Sequence, residues 1–204
     1  MALATATLGS SRPRGLPKAL SPDQAALLRA HVAHAGRRDR TALALLLDAG
    51  LRASEACALT RANVHPPPAS YLRVDNGKGG KDRVVPVTHE VATLLAAPVN
   101  VSSPWALPNT YHPERPLGRR HLYNLVAAWG EACGFALWPH CLRHTYACDL
   151  IAAGLSLVDL QQLLGHASVA TTAIYLHVRP DALGDRLRSV LSGHGTATQL
   201  RLIA

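Results

Sequence analysis

Lysine is nearly missing from this chain. Of 21 basic residues, 18 are Arg and only Lys18, Lys78 and Lys81 are Lys. Arg makes forked contacts to phosphate oxygens, which Lys cannot. Two Lys within four residues therefore call for a reason. Acidic residues are also few, 13 against 21 basic, which leaves a net charge of +8. That balance suits a polyanionic partner, most often nucleic acid, and equally a soluble protein that is basic without one. There is one Met and one Phe, and the aromatics are 4% of the chain.

Other scarcities exclude whole classes. The four cysteines, Cys57, Cys133, Cys141 and Cys148, include no Cys-x-x-Cys pair, and the 11 His show no His-Glu-x-x-His spacing. A zinc site is therefore not expected, and buried reduced thiols in a reducing, cytoplasmic setting are. Val91 to Pro113 is uncharged enough for a membrane span but carries Pro98, Pro104, Pro108 and Pro113. Four prolines exclude a spanning helix. No secretory signal pattern opens the chain. Charged residues are 17% and hydrophobic ones 48%, a globular rather than a disordered composition. A chain of 204 residues needs no staple to bury a core.

The pattern predicts a mainly helical fold with one small antiparallel sheet. Residues 1–17 hold no acid and read as a basic arm. Ser21-Pro22-Asp23 reads as the start of a helix that runs to about Ala33. A second helix is expected from Asp39 to Ala49, stopped by Gly50, and a short third from Ala53 to Thr60. Tyr71–Val74 and Arg83–Val87 read as strands around a glycine-rich loop, Asp75 to Asp82. Further helices are expected over His89–Ala97, Leu117–Ala132, Pro139 to Gly154, and Ser156 to Gly165. Two more are expected beyond them, one capped by Ser168 and carrying Tyr175, the other from Pro180 to Leu191. Residues 192–204 read as a loose tail.

Four places carry chemistry by residue type. Arg52 follows a helix-ending glycine, with Glu55 three residues on to hold it. Lys78 lies at the glycine-rich loop. His140 and Arg143, at i and i+3, share a helix face. Gly165-His166 projects a second imidazole, and Tyr175 follows nine residues later. Each has an ordinary alternative: a surface ion pair, a solvated Lys, polar helix residues, a core Tyr.

Their order changes that balance. Gly50-Leu51-Arg52-Ala53-Ser54-Glu55, then Gly77-Lys78-Gly79-Gly80-Lys81-Asp82-Arg83-Val84-Val85-Pro86, then His140-Cys141-Leu142-Arg143-His144-Thr145, then Leu163-Leu164-Gly165-His166 and Tyr175. This series resembles the catalytic domain of the tyrosine recombinase (phage integrase) family, over roughly Leu16 to Leu191. The His140-to-Tyr175 spacing is similar to that of the Xer-type bacterial members.

The resemblance implies a site-specific recombinase that cuts and rejoins double-stranded DNA through a 3′-phosphotyrosyl intermediate, with no metal, ATP or other cofactor. Integration, excision, inversion and resolution are all open. It implies six catalytic residues: Arg52 and Arg143 clamping the phosphate, His140 and His166 hydrogen-bonding it, Lys78 as general acid and Tyr175 as nucleophile. Lys81 is the competitor to Lys78, Glu55 is the group that orients Arg52, and His144 is structural. Lys81, Arg83, Arg119 and Arg120 are expected DNA contacts. The implied partners are DNA, three further copies in a tetramer on two sites, possible accessory DNA-binding proteins, and no membrane.

The expected organisation is an arm (1–17), a catalytic domain (18–191) and a tail (192–204). The separate helical domain that precedes the catalytic one in most members is not expected here, which resembles the short fimbrial-switch invertases. Two other readings stay open: a non-catalytic DNA-binding regulator derived from the family, and a relaxing topoisomerase of related chemistry.

Overall fold

In the computed structural model, residues 19–75 and 82–165 are described. They form seven α-helices and a three-stranded sheet. The first helix, α1 (Pro22–Ala33), starts as its sequence predicts. The Ser21 hydroxyl accepts from the Gln24 N–H, and the Gln24 side chain accepts from the Ser21 N–H, closing a capping box. Leu28 and Val32 face the core.

The next segment departs from a plain helix over Asp39–Ala49. Regular α2 spans Arg37–Leu43, and Ala44–Asp48 continues it as a π turn. The Ala49 N–H reaches the Ala44 carbonyl at 2.9 Å, and the Leu51 N–H reaches Leu45 at 2.9 Å. A π turn needs no residue type of its own, so nothing in the Leu-rich run signals it. Leu45, Leu46 and Leu47 are all buried, as in a segment enclosed on every side.

Gly50 ends this segment at φ +61°. Short α3 (Ala53–Ala58) follows. It ends two residues before Thr60, where the chain instead bridges to Trp105. The sheet then runs β1 (Val64–His65), β2 (Tyr71–Val74) and β3 (Arg83–Pro86), antiparallel in that order. Leu72 pairs with Val64 on one side and Val85 on the other, and it is fully buried. The first strand, two residues long, was not legible as a strand; the two hairpin strands were.

Helix α4 (His89–Ala96) is capped by the Thr88 hydroxyl. Helix α5 (Arg119–Ala132) begins two residues later than expected, after Gly118. Helix α6 (Pro139–Ala152) is the central element: Cys141 through Cys148 are buried without interruption. Helix α7 (Leu157–Leu164) is capped by Ser156 and ends at Gly165 in the left-handed region. All four cysteines are unbridged; Cys57, Cys141 and Cys148 are buried as expected, whereas Cys133, at the end of α5, is only half-buried. No described helix is long and apolar enough to cross a membrane. The expected arm, the Lys78–Lys81 loop tip, the Ser168 and Pro180 helices and the tail lie outside the described residues.

Gly50 is the most tightly packed of the described glycines. A Cβ there would collide with the Tyr146 ring of α6, and φ is positive as well. Gly50→Ala is expected to cost about 2–4 kcal/mol, from backbone strain plus overpacking. Urea denaturation checks this. Adding Tyr146→Leu should recover the steric part of the loss and leave the strain.

Candidate active site

The site begins where α2 ends. The left-handed turn at Gly50 sends the chain into extended Leu51 and Arg52, and Arg52 becomes the N-cap of α3. Glu55, at the third position of the helix, folds back on it. Its Oε2 accepts from the Arg52 backbone N–H at 2.8 Å, and its Oε1 accepts from Arg52 Nη1 at 2.7 Å. The expected hold of Glu55 on Arg52 is thus present as geometry.

Arg83 was expected at the DNA. The structure instead turns it inward, onto Glu55. Its Nη1 and Nη2 donate to the two carboxylate oxygens at 2.9 and 2.8 Å, a fork-to-fork pair. Its Nε donates to the Leu163 carbonyl at 2.9 Å. The side chain is only 10% exposed. A cation so enclosed, with an acceptor on each nitrogen, is an internal ion-pair partner. Nothing in the sequence joins two residues 28 apart, so this pairing was not legible.

Arg143, on α6, is nearly buried. Its Nη1 donates to the Gly50 carbonyl at 2.6 Å and its Nη2 to the Leu164 carbonyl at 2.7 Å. Its Nη1 lies 3.7 Å from Glu55 Oε2. Arg52 Nη2 completes the pattern by donating to the Gly165 carbonyl at 3.0 Å. Three guanidinium groups thus take three successive carbonyls, Leu163, Leu164 and Gly165. These carbonyls are the negative end of α7, where cations are stabilising.

Three cations share one carboxylate, so the cluster stays strongly positive. Burial pushes the Glu55 carboxyl upward. The hydrogen bonds from Arg83 and the Arg52 N–H, the Arg83 charge and the Arg52 side chain outweigh it, and together they hold Glu55 down at about 2.

His140 stands on the first turn of α6, exposed on the solvent side. Its ring lies 6.5 Å from that of His144, which is fully buried. Partial desolvation, then the charges of Arg143 and Arg52, push His140 below its ordinary value. Its imidazole is therefore neutral near pH 7 and able to accept a proton. Tyr146 lies in the same region, but burial pushes it up to about 12 against the pull of Arg143 and Arg83. It is a packing residue against Gly50, unsuited to nucleophilic work.

Arg119 and Arg120 are exposed on the opening turn of α5. Lys78, Lys81, His166 and Tyr175 lie outside the described residues. The structure therefore joins Arg52, Glu55 and Arg143 directly, together with Arg83 in a pairing the sequence did not show, and His140 lies within electrostatic reach.

Residues 18–181 match the family model described as the phage integrase family. The chain belongs to that family. Among its relatives, the tyrosine recombinase XerA of Thermococcus kodakarensis is 34% identical over 175 residues. The match takes in 84% of this chain and 62% of XerA, so the chain spans under two thirds of that relative's length. The crystal structure of XerA recombinase superposes with a TM-score of 0.73 at 28% identity, over 92% of this chain and 67% of that one. XerH site-specific recombinase, solved bound to its difH substrate, gives a TM-score of 0.69 over 78% of this chain and 50% of that one. At 23% identity, that likeness speaks for the fold alone. The helical, small-sheet architecture is that of phage integrase family catalytic domains.

The Glu55 cluster makes stability of this family member acid-sensitive. Glu55 has a lower pKa folded than unfolded, so its contribution is full above about pH 4.5 and is lost as pH falls toward 2. The shift corresponds to about 3 kcal/mol. Glu55→Gln is expected to flatten this acid dependence, checked by urea unfolding between pH 3 and pH 7.

Proposed function

We propose that this chain cuts and rejoins double-stranded DNA as a site-specific recombinase, through a phosphotyrosyl intermediate. The observation that carries the reading is the convergence of Arg52 and Arg143 at the end of α7, one residue before His166 in the chain. A pair of converging arginines is what a charged phosphoryl transition state requires when protein cations supply the compensation. Membership of the phage integrase family supports the reaction class.

In this reading Tyr175 Oη attacks the phosphorus of the scissile phosphodiester. The bond from phosphorus to the 5′-oxygen breaks, and a 3′-phosphotyrosyl link forms. His140 takes the tyrosyl proton, which its neutral form allows. Lys78 gives a proton to the departing 5′-oxygen. Rejoining runs the same steps in reverse from a new 5′-hydroxyl, so no energy source is consumed. Arg52, 23% exposed at its side chain, meets the phosphate from the solvent side, and Arg143, at 2%, adds charge from beneath. Each supplies about 3 kcal/mol of transition-state stabilisation, by analogy with other oxyanion donors. His166 adds a hydrogen bond to the phosphate.

Arg119, Arg120 and Lys81 are proposed to grip neighbouring phosphates. Strand exchange between two sites implies four copies of the chain, with accessory DNA-binding proteins as further partners.

Covalent capture tests the reading. Cells are lysed under denaturing conditions that keep phosphotyrosyl links, the protein is recovered, and attached DNA is sequenced. Recurrent DNA ends on wild type and none on Tyr175→Phe are expected. Adducts that persist in Tyr175→Phe would show the nucleophile is elsewhere. In purified form, Arg120→Ala is expected to lower the slope of log affinity against log salt by about 0.9, one phosphate contact. An unchanged slope would remove Arg120 from the interface.

A further inference from the structure

Arg83 has no part in the reaction just described, yet each of its guanidinium nitrogens donates to a protein acceptor. The carboxylate of Glu55 offers about four lone-pair directions. Four donors meet it: the Arg52 N–H, Arg52 Nη1, and Nη1 and Nη2 of Arg83. Arg143 Nη1, at 3.7 Å, lies outside hydrogen-bond range of that carboxylate and donates to the Gly50 carbonyl instead. Saturation of Glu55 by Arg83 thus fits with Arg143 being held elsewhere.

A surface arginine in the same sheet looks different. Arg73 on β2 is 55% exposed and pairs with Asp75 and Asp82 at the solvent edge. Arg83 on β3 crosses to another element altogether, pairing with α3 through Glu55 and with α7 through Leu163. Its side chain also fills the space beside Gly165, where a Cβ would come within 3.2 Å of the Arg83 Cδ.

We propose that Arg83 is a positioning residue: by saturating Glu55 and holding the end of α7, it keeps Arg143 from being drawn onto that carboxylate and so leaves Arg52 and Arg143 placed for a phosphate. This rests on the reading of Arg52 and Arg143 as the phosphate clamp. Without Arg83, two acceptor directions on Glu55 open. Arg143, the next cation, is drawn in and leaves the Gly50 carbonyl. The clamp then spends its charge on a buried carboxylate. A neutral amide at position 55 would not draw it in this way.

The test uses the full chain as wild type, Arg83→Met, Glu55→Gln and the double variant, with thermal unfolding confirming that each is folded. Arg83→Lys stands in if Arg83→Met does not fold; it keeps the charge without the fork. Salt-dependent binding to a duplex of arbitrary sequence comes first. The double variant, in which no carboxylate draws Arg143 in, is expected to keep the wild-type slope, and a slope there lower by about 0.9 would make Arg83 a phosphate contact and overturn the proposal. Adduct formation on the captured DNA site comes second. Arg83→Met is expected to slow it about 100-fold, and Glu55→Gln in the same chain to restore about tenfold of that. Losses that simply add would mean a packing role only. Orthovanadate binding by calorimetry needs no cleavage. Arg83→Met is expected to weaken it about tenfold, and equal affinity overturns the proposal. If wild type binds vanadate in this Arg83-dependent way but forms no adduct with DNA, the recombinase reading fails and the positioning role stands.

Discussion

A buried carboxylate next to three guanidinium groups sets the terms for this structure. Glu55 would be costly to bury as a lone charge, and so would Arg143. Together with the carbonyl end of α7 they form a network in which the buried ions are mutually satisfied. That network joins four pieces of chain far apart in sequence: the turn after α2, strand β3, helix α6 and the end of α7. Removing one partner leaves the others with unmet charge. The excess of positive charge that remains is what a phosphodiester would meet on arrival.

The apolar core delivers these charges to one place. Helix α6 is buried on all sides over Cys141–Cys148, and the π turn after α2 is enclosed in the same way. Their contact is close because Gly50 has no side chain to keep Tyr146 away. The same glycine turns the chain from α2 toward Arg52 and offers its carbonyl to Arg143. One residue thus serves packing, chain direction and charge satisfaction at once.

Much of the fold was legible because its signals are local. The Ser21 and Ser156 caps, the Gly50 and Gly165 stops and the hairpin strands each depend on residues within a few positions of one another. The π turn was not legible, since the Leu-rich run suits α and π windings alike. Strand β1 is too short for alternation to show. The site divides in the same way. Arg52 with Glu55 is an i, i+3 pair and could be read directly. Arg83 with Glu55 is a tertiary contact, and an Arg opening a strand after a glycine-rich loop reads first as a DNA contact. The roles proposed for Arg143 and His140 rest on their order along the chain, which carries family likeness but not geometry.

The three arginines reach three consecutive carbonyls, Leu163 and Leu164 in the last turn of α7 and Gly165 at its left-handed cap. Helical carbonyls are rotated by about 100° from one to the next and the cap turns the third away from that series, so each arginine approaches from its own direction. The arrangement acts as a register. Side chains along the exposed face of α7 are free to vary, whereas adding or deleting one residue between Ser156 and Gly165 would rotate all three carbonyls away from their partners together. The length of that short helix is thus fixed by charges on other elements, more tightly than its sequence is.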